Sequence, residues 1–244
     1  MSFLPRAARL ITTGFAVVAV ALALVACSGG DDDDAPSPTQ RPSSPPSATA
    51  PSGAAPANPT PAAASAPGTC TGPGIASIQR DNVRKYSAYP ETVIDPAKTY
   101  IAVVKTSKGD ITMNLAAAQA PKTVNSFVFL SCHGFYDGLT FHRVVANFVI
   151  QGGDPNGNGT GGPGYTFGLE ISDLKHDTVG TLAMARSQDP NSNGSQWYIT
   201  TAVNSQTTNL DGQYTVFGKV TSGMDVVLAI RQGDKINSVS ITEQ

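Results

Sequence analysis

Residues 140–154 read TFHRVVANFVIQGGD. Phe141, Val144, Val145, Phe148, Val149 and Ile150 make short β-like runs, yet Arg143 and Gln151 interrupt them. A cation and an amide inside a buried strand must be paired, because stripping water from unpaired polar groups is costly. The stretch therefore predicts β-strands that carry a working polar pair.

Upstream, Tyr100-Ile-Ala-Val-Val104 and Ile111-Thr-Met-Asn-Leu115 flank Ser107-Lys-Gly-Asp110, the pattern of a β-hairpin. Pro121 opens a helix with Val124, Phe127 and Val128 on one face, and Gly134 follows its end. Downstream, short strands are expected at Val149–Gln151, Gly180–Ala185, Gln196–Thr200, Thr215–Val220 and Ile236–Thr242. A second helix is expected from Ser222, with Asp225 near its capping-box position. Many short strands with two helices indicate a closed antiparallel barrel or a sandwich.

The rest of the 244-residue chain differs in kind. Residues 1–69 hold most of the prolines and almost no aromatics, leaving about 150 residues for one domain, enough to bury roughly 68–70% of its unfolded surface. Residues 1–26 have the parts of an export signal: Arg6 and Arg9, then an apolar run from Leu10 to Val25. Leu24-Val25-Ala26-Cys27 resembles the lipobox of bacterial lipoprotein precursors, which implies lipidation of Cys27 and attachment to the extracytoplasmic face of a membrane. Residues 27–69, rich in Pro, Ala, Ser and Thr, form a disordered tether with too little apolar surface to fold. Residues 70–93 are a pre-domain segment, and 94–244 the folded domain. With Cys27 acylated, Cys70 and Cys132 remain as a candidate disulfide in an oxidising compartment, or as two independent thiols. A net charge of −2 gives no reason to expect a nucleic-acid partner.

Two motifs in DPNGNGTGG are decoys. Asp154, Asn156, Asn158 and Gly159 match half of an EF-hand loop, but Tyr165 stands where a bidentate Glu is needed. Gly157, Gly159 and Gly162 spell a dinucleotide motif with no helix to follow. His133, His142 and His176 lack metal-site spacing, and Ser195 is not in a nucleophile elbow.

The opening stretch itself, Phe141-His-Arg143 with Asn147-Phe148-Val149-Ile-Gln151-Gly-Gly-Asp154, resembles the signature of the cyclophilins, the peptidyl-prolyl isomerases. The resemblance continues through Gly161-Gly162-Pro163-Gly164, Leu182-Ala-Met-Ala185, Asn193-Gly-Ser-Gln196-Trp-Tyr198, Leu210-Asp-Gly212 and Tyr214-Thr-Val-Phe217-Gly-Lys-Val220, in the family's order over residues 98–243. It implies a mainly β fold, a closed eight-stranded antiparallel barrel capped by two helices. It implies catalysis by Arg143, Phe148 and Gln151, and substrate binding by Val149, Ala185, Arg186, Gln196, Tyr198, Leu210 and Tyr214. Tyr198 replaces the family's usual Phe, so its hydroxyl needs water or a partner. The expected substrates are proline-containing segments of unfolded or exported proteins, handled by a monomer. No nucleophile, metal or cofactor is required, because no covalent bond breaks when a prolyl amide rotates. A non-catalytic proline-peptide binder using the same groove is the alternative.

Overall fold

The computed structural model describes residues 67–244. The export signal, Cys27 and the tether as far as residue 66 lie outside the described residues. The strands are β1 (Cys70–Thr71), β2 (Tyr100–Thr106), β3 (Gly109–Leu115), β4 (Arg143–Val145), β5 (Val149–Gly152), β6 (Thr181–Met184), β7 (Trp197–Thr200), β8 (Val216–Ser222) and β9 (Ile236–Glu243). The helices are α1 (Pro121–Cys132), α2 (Ser205–Thr208) and α3 (Met224–Ala229).

The β2–β3 hairpin forms as expected, in register from Tyr100↔Leu115 to Thr106↔Gly109. Val124, Phe127 and Val128 are buried on α1. The helix has no local side-chain cap; Glu170, 47 residues along the chain, accepts from the Thr123 amide at 2.7 Å and the Lys122 amide at 2.9 Å. A carboxylate there satisfies orphan amides and meets the positive end of the helix dipole.

Two expectations are corrected. The strands form one open nine-stranded sheet, ordered β1-β9-β2-β3-β8-β6-β7-β5-β4, not a closed eight-stranded barrel. Its curled ends approach at one isolated bridge, Thr140↔Lys235, where the chain makes only a short run of ladder hydrogen bonds before turning into β4. The extra strand is β1, added parallel to β9 through Cys70↔Ile241 and Thr71↔Thr242. Among the described residues there are also three helices, not two. Ser222 ends β8, and α3 starts after Gly223, whose φ of +83° suits glycine and whose missing Cβ clears the Asp110 carbonyl. Asp225 makes no cap there. The unforeseen α2 is a single turn, capped by Asn204, whose side chain accepts from the Gln206 amide at 2.9 Å and the Thr207 amide at 3.2 Å.

Strand alternation gives the curled sheet two buried faces. Leu182, Met184, Trp197, Ile199, Ile150 and Phe217 point into the main core with α1. Their neighbours Val149, Ala183, Tyr198 and Val216 form a separate apolar cluster on the other face. That is why β6 and β7 are buried at every position and lack a polar stripe.

The pre-domain segment runs over the sheet as a strap. Ile75 is completely buried in the main core, and Cys70 is bonded to Cys132 at the end of α1, with Cα atoms 5.6 Å apart. The Arg80 guanidinium gathers the Asp137 carboxylate and the carbonyls of Gly68, Ser131 and Val239.

Candidate active site

The β4–β5 hairpin sets Arg143 opposite Gln151 in the ladder. Its turn passes through Asn147 at φ +56°, and the Asn147 carbonyl accepts from the Asn204 side chain at 2.8 Å. Thr201 donates its amide to the Phe148 carbonyl at 2.9 Å, fixing the aromatic residue beside β7. Contrary to the picture of a cation inside a buried strand, β4 is an edge strand and Arg143 is exposed. Its charge is therefore not stripped of water.

Polar groups nevertheless hold Arg143 in place. Its Nη1 donates to Gln151 Oε1 at 3.3 Å, and Gln151 Nε2 donates to Gln196 Oε1 at 2.9 Å. Gln196 Nε2 in turn donates to the carbonyls of Gly159 and Gly161 at 3.0 and 2.9 Å. The guanidinium carbon also lies 5.7 Å from the Phe148 ring centre, within cation–π range. One arm of the cation is anchored while the rest faces outward.

Beside it is a cavity of about 240 Å³. Phe148, Val149, Tyr198 and Leu210 supply apolar walls, with Arg143 and Gln151 at the rim. Ala185, Arg186 and Tyr214 complete the lining, while Gln196 borders the adjoining cavity. The structure thus brings all ten sequence-derived catalytic and binding positions to one face. Arg186 stacks over Tyr214 at 4.7 Å and donates to the carbonyls of Gln213 and Ser187, clamping two loops together. The Ala185 amide donates to Gln196 O at 2.9 Å, which commits it to the sheet.

The Tyr198 hydroxyl finds its partner beneath the pocket. It lies 2.9 Å from His176 Nε2, and His176 Nδ1 lies 2.8 Å from Asp211 Oδ1. A carboxylate only accepts, so the ring donates at Nδ1, and Nε2 pairs with the hydroxyl. Burial pushes the Tyr198 hydroxyl well above its ordinary range, keeping it protonated. For Asp211 burial works upward, but the hydrogen bonds from His176 outweigh it and hold the carboxyl low. Nothing in the local sequence marks this relay, which joins residues 176, 198 and 211 only in the fold.

The decoys are loop architecture. Asp154, almost wholly buried, accepts from the amides of Asn156, Asn158 and Gly159. Burial pushes its carboxyl up, and those amides together with nearby His142 overcome that and lower it. Ser195 donates to the Gly153 carbonyl at 2.7 Å, a structural bond. His133 pairs with Asp81 at 3.0 Å.

Comparison with known proteins agrees with this geometry. The family described as cyclophilin type peptidyl-prolyl cis-trans isomerase/CLD matches residues 101–244. A peptidyl-prolyl cis-trans isomerase of Helicobacter pylori is 43% identical over 163 residues, covering 65% of this chain and 95% of that protein. One of Synechococcus elongatus is 46% identical over 142 residues, covering 57% and 94%. The crystal structure of a Cryptosporidium parvum cyclophilin type isomerase superposes with a TM-score of 0.54 at 34% identity, covering 59% of this chain and 97% of that one. A crystal structure of the same protein obtained with the dipeptide Ala-Pro gives 0.52 at 35% identity, covering 57% and 96%. With Arg143, Gln151 and the apolar pocket gathered on one face of the sheet, the chain belongs to the cyclophilin-type peptidyl-prolyl cis-trans isomerases.

Proposed function

We propose that this isomerase accelerates X–Pro rotation in exported proteins while tethered to a membrane by a lipid on Cys27. The catalytic part rests above all on the anchored cation beside the apolar pocket, Arg143 held through Gln151 and Gln196. Amide resonance sets a rotation barrier of roughly 18–20 kcal/mol. A catalyst lowers it by binding the twisted amide better than either planar isomer. In the twisted form the prolyl nitrogen regains a lone pair. The free arm of the Arg143 guanidinium donates to that nitrogen, or polarises the adjacent carbonyl. Arginine suits the task because its charge is permanent and its donors form a rigid fork, one prong for Gln151 and one for substrate. Phe148, Val149, Tyr198 and Leu210 grip the proline ring, so rotation takes place about a fixed ring. The Cryptosporidium protein was crystallised in the presence of the dipeptide Ala-Pro, a proline-containing peptide of the class proposed here as substrate. The whole groove comes from one chain, which supports action as a monomer.

A protease-coupled isomerisation assay on a proline tetrapeptide tests the mechanism. The full chain should accelerate exchange, and Arg143→Ala should lower kcat/KM by orders of magnitude with unchanged circular dichroism. Retained activity would falsify the role of Arg143. The export reading is supported by the lipobox-like Leu24-Val25-Ala26-Cys27 and by the disulfide, since such bridges persist in oxidising compartments. Cys27→Ser should move the protein from the membrane to the soluble fraction; continued membrane retention would remove the anchor.

A further inference from the structure

We infer that the strap extends the proline pocket into a longer cationic groove, in which Arg84 and Lys85 select substrates with acidic residues N-terminal to the proline. The inference rests on the placement of the prolyl amide at Arg143. Three cavities lie in series. The proline pocket shares Gln151, Ala185 and Arg186 with a middle cavity of about 320 Å³. The middle cavity shares Thr160, Gly161, Gly162, Tyr165 and Thr166 with an outer one of about 840 Å³, whose lining includes Arg84 and Lys85. The amide at Arg143 joins the ring to the residue before it, and Gln151, which anchors Arg143, lines both the pocket and the middle cavity, so the proposed path of the residues before proline runs past Gln151 toward the strap.

The charges along this path have one sign. The linings of the three cavities contain Arg143, Arg186, Arg84 and Lys85 and no Asp or Glu, in a chain whose net charge is −2. The nearby acids are engaged elsewhere. Asp154 turns its carboxylate into its own loop, and the Asp137 carboxylate pairs with Arg80. Among the described residues, neither Arg84 nor Lys85 is within ion-pair distance of a carboxylate. A groove of one sign raises the local concentration of oppositely charged ligands and rejects like charge.

Lys85 is the exposed cation, on backbone fixed by the Tyr86 amide, which donates to Pro163 O at 2.7 Å. The Arg84 guanidinium is turned inward, with Nη1 buried, Nη2 donating to the Asp137 carbonyl at 2.5 Å and the Phe135 ring centre 5.8 Å away, so it adds nearby positive charge while Lys85 makes the contact. Gly164, at φ +96°, has no Cβ to strike the Tyr86 carbonyl, so strap and groove loop pack directly.

The test uses the full chain and three chromogenic peptides, acetyl-X-X-Ala-Ala-Pro-Phe p-nitroanilide, where X-X is Glu-Glu, Gln-Gln or Lys-Lys. The expected order of kcat/KM is Glu above Gln above Lys, with roughly two- to five-fold per step at low ionic strength, as for exposed ion pairs. Added salt should compress the order. In Arg84→Gln/Lys85→Gln the Glu-to-Lys ratio should fall toward one. Lys85→Glu, a single change at an exposed side chain, should invert or flatten it without shifting the melting midpoint. An unchanged ratio in these variants, or no preference in the parent, overturns the inference. If the parent accelerates none of the three peptides, the underlying reading of the pocket has failed and takes this inference with it.

Discussion

Tyr198 shows how one atom can be added to a pocket wall without entering the pocket. Its hydroxyl is tied beneath the pocket to His176 and through it to Asp211, so Tyr198 offers the cavity ring carbons. Tyr198→Phe should therefore cost stability more than chemistry. It leaves the completely buried His176 ring with an unpaired nitrogen, worth about 1–3 kcal/mol. That corresponds to a fall in melting midpoint of roughly 2–12 °C for a domain of this size. Calorimetry beside the coupled assay checks it: an unchanged midpoint with a large loss of kcat/KM would mean that the hydroxyl works in the groove. Arg143 gives the complementary case. Its place at the edge of the sheet keeps the cation in contact with water, with Gln151 restricting its motion.

At the scale of elements, the loop from Asp154 to Gly161 is the support of the polar chain. Its carbonyls at Gly159 and Gly161 hold Gln196, which holds Gln151. Asp154 organises the loop through three amides, and its folded carboxyl lies below the ordinary value of 3.8. A lowered folded value stabilises the protein fully above the unfolded value and loses that contribution as pH falls through the folded one. Asp211, also held low, acts in the same direction. Stability should thus be lost below about pH 4. Asp154→Asn should remove part of that acid dependence, lower stability at pH 7 by about 1.5–3 kcal/mol, and reduce kcat by loosening Gln196. Urea titrations of both proteins at pH 3 and pH 7 provide the check; identical pH profiles would contradict the role of Asp154.

At the scale of the molecule, the strap and its disulfide are part of the fold. The bridge spans 62 residues of sequence and fixes β1 to the end of α1, with Ile75 packed in the main core between them. Closing such a loop constrains the unfolded chain, typically by 2–4 kcal/mol on the order of magnitude. Cys70→Ser/Cys132→Ser, or reduction of the parent, should lower unfolding free energy by about that amount. Guanidinium unfolding with and without reductant measures it, and coincident curves would show that the bridge contributes nothing. Arg80, joining Gly68, Ser131, Asp137 and Val239, ties the same segment across distant parts of the chain.

The sequence by itself determined the hairpin, α1, the short strands and the residues that line the pocket beside Arg143. Those features rest on local periodicity, on turn residues such as Ser107-Lys-Gly109, and on the ordered motif blocks from Phe141 to Val220. What only the tertiary structure decided involves contacts between residues far apart along the chain. The sheet stays open because its ends share a single bridge, and it gains a ninth strand because two residues at Cys70 are held against β9. Glu170 caps a helix 47 residues away, and His176 meets Tyr198 and Asp211 across three segments. Such pairings leave no periodic trace in sequence: they arise when burial deprives a polar group of water and folding supplies a remote partner instead.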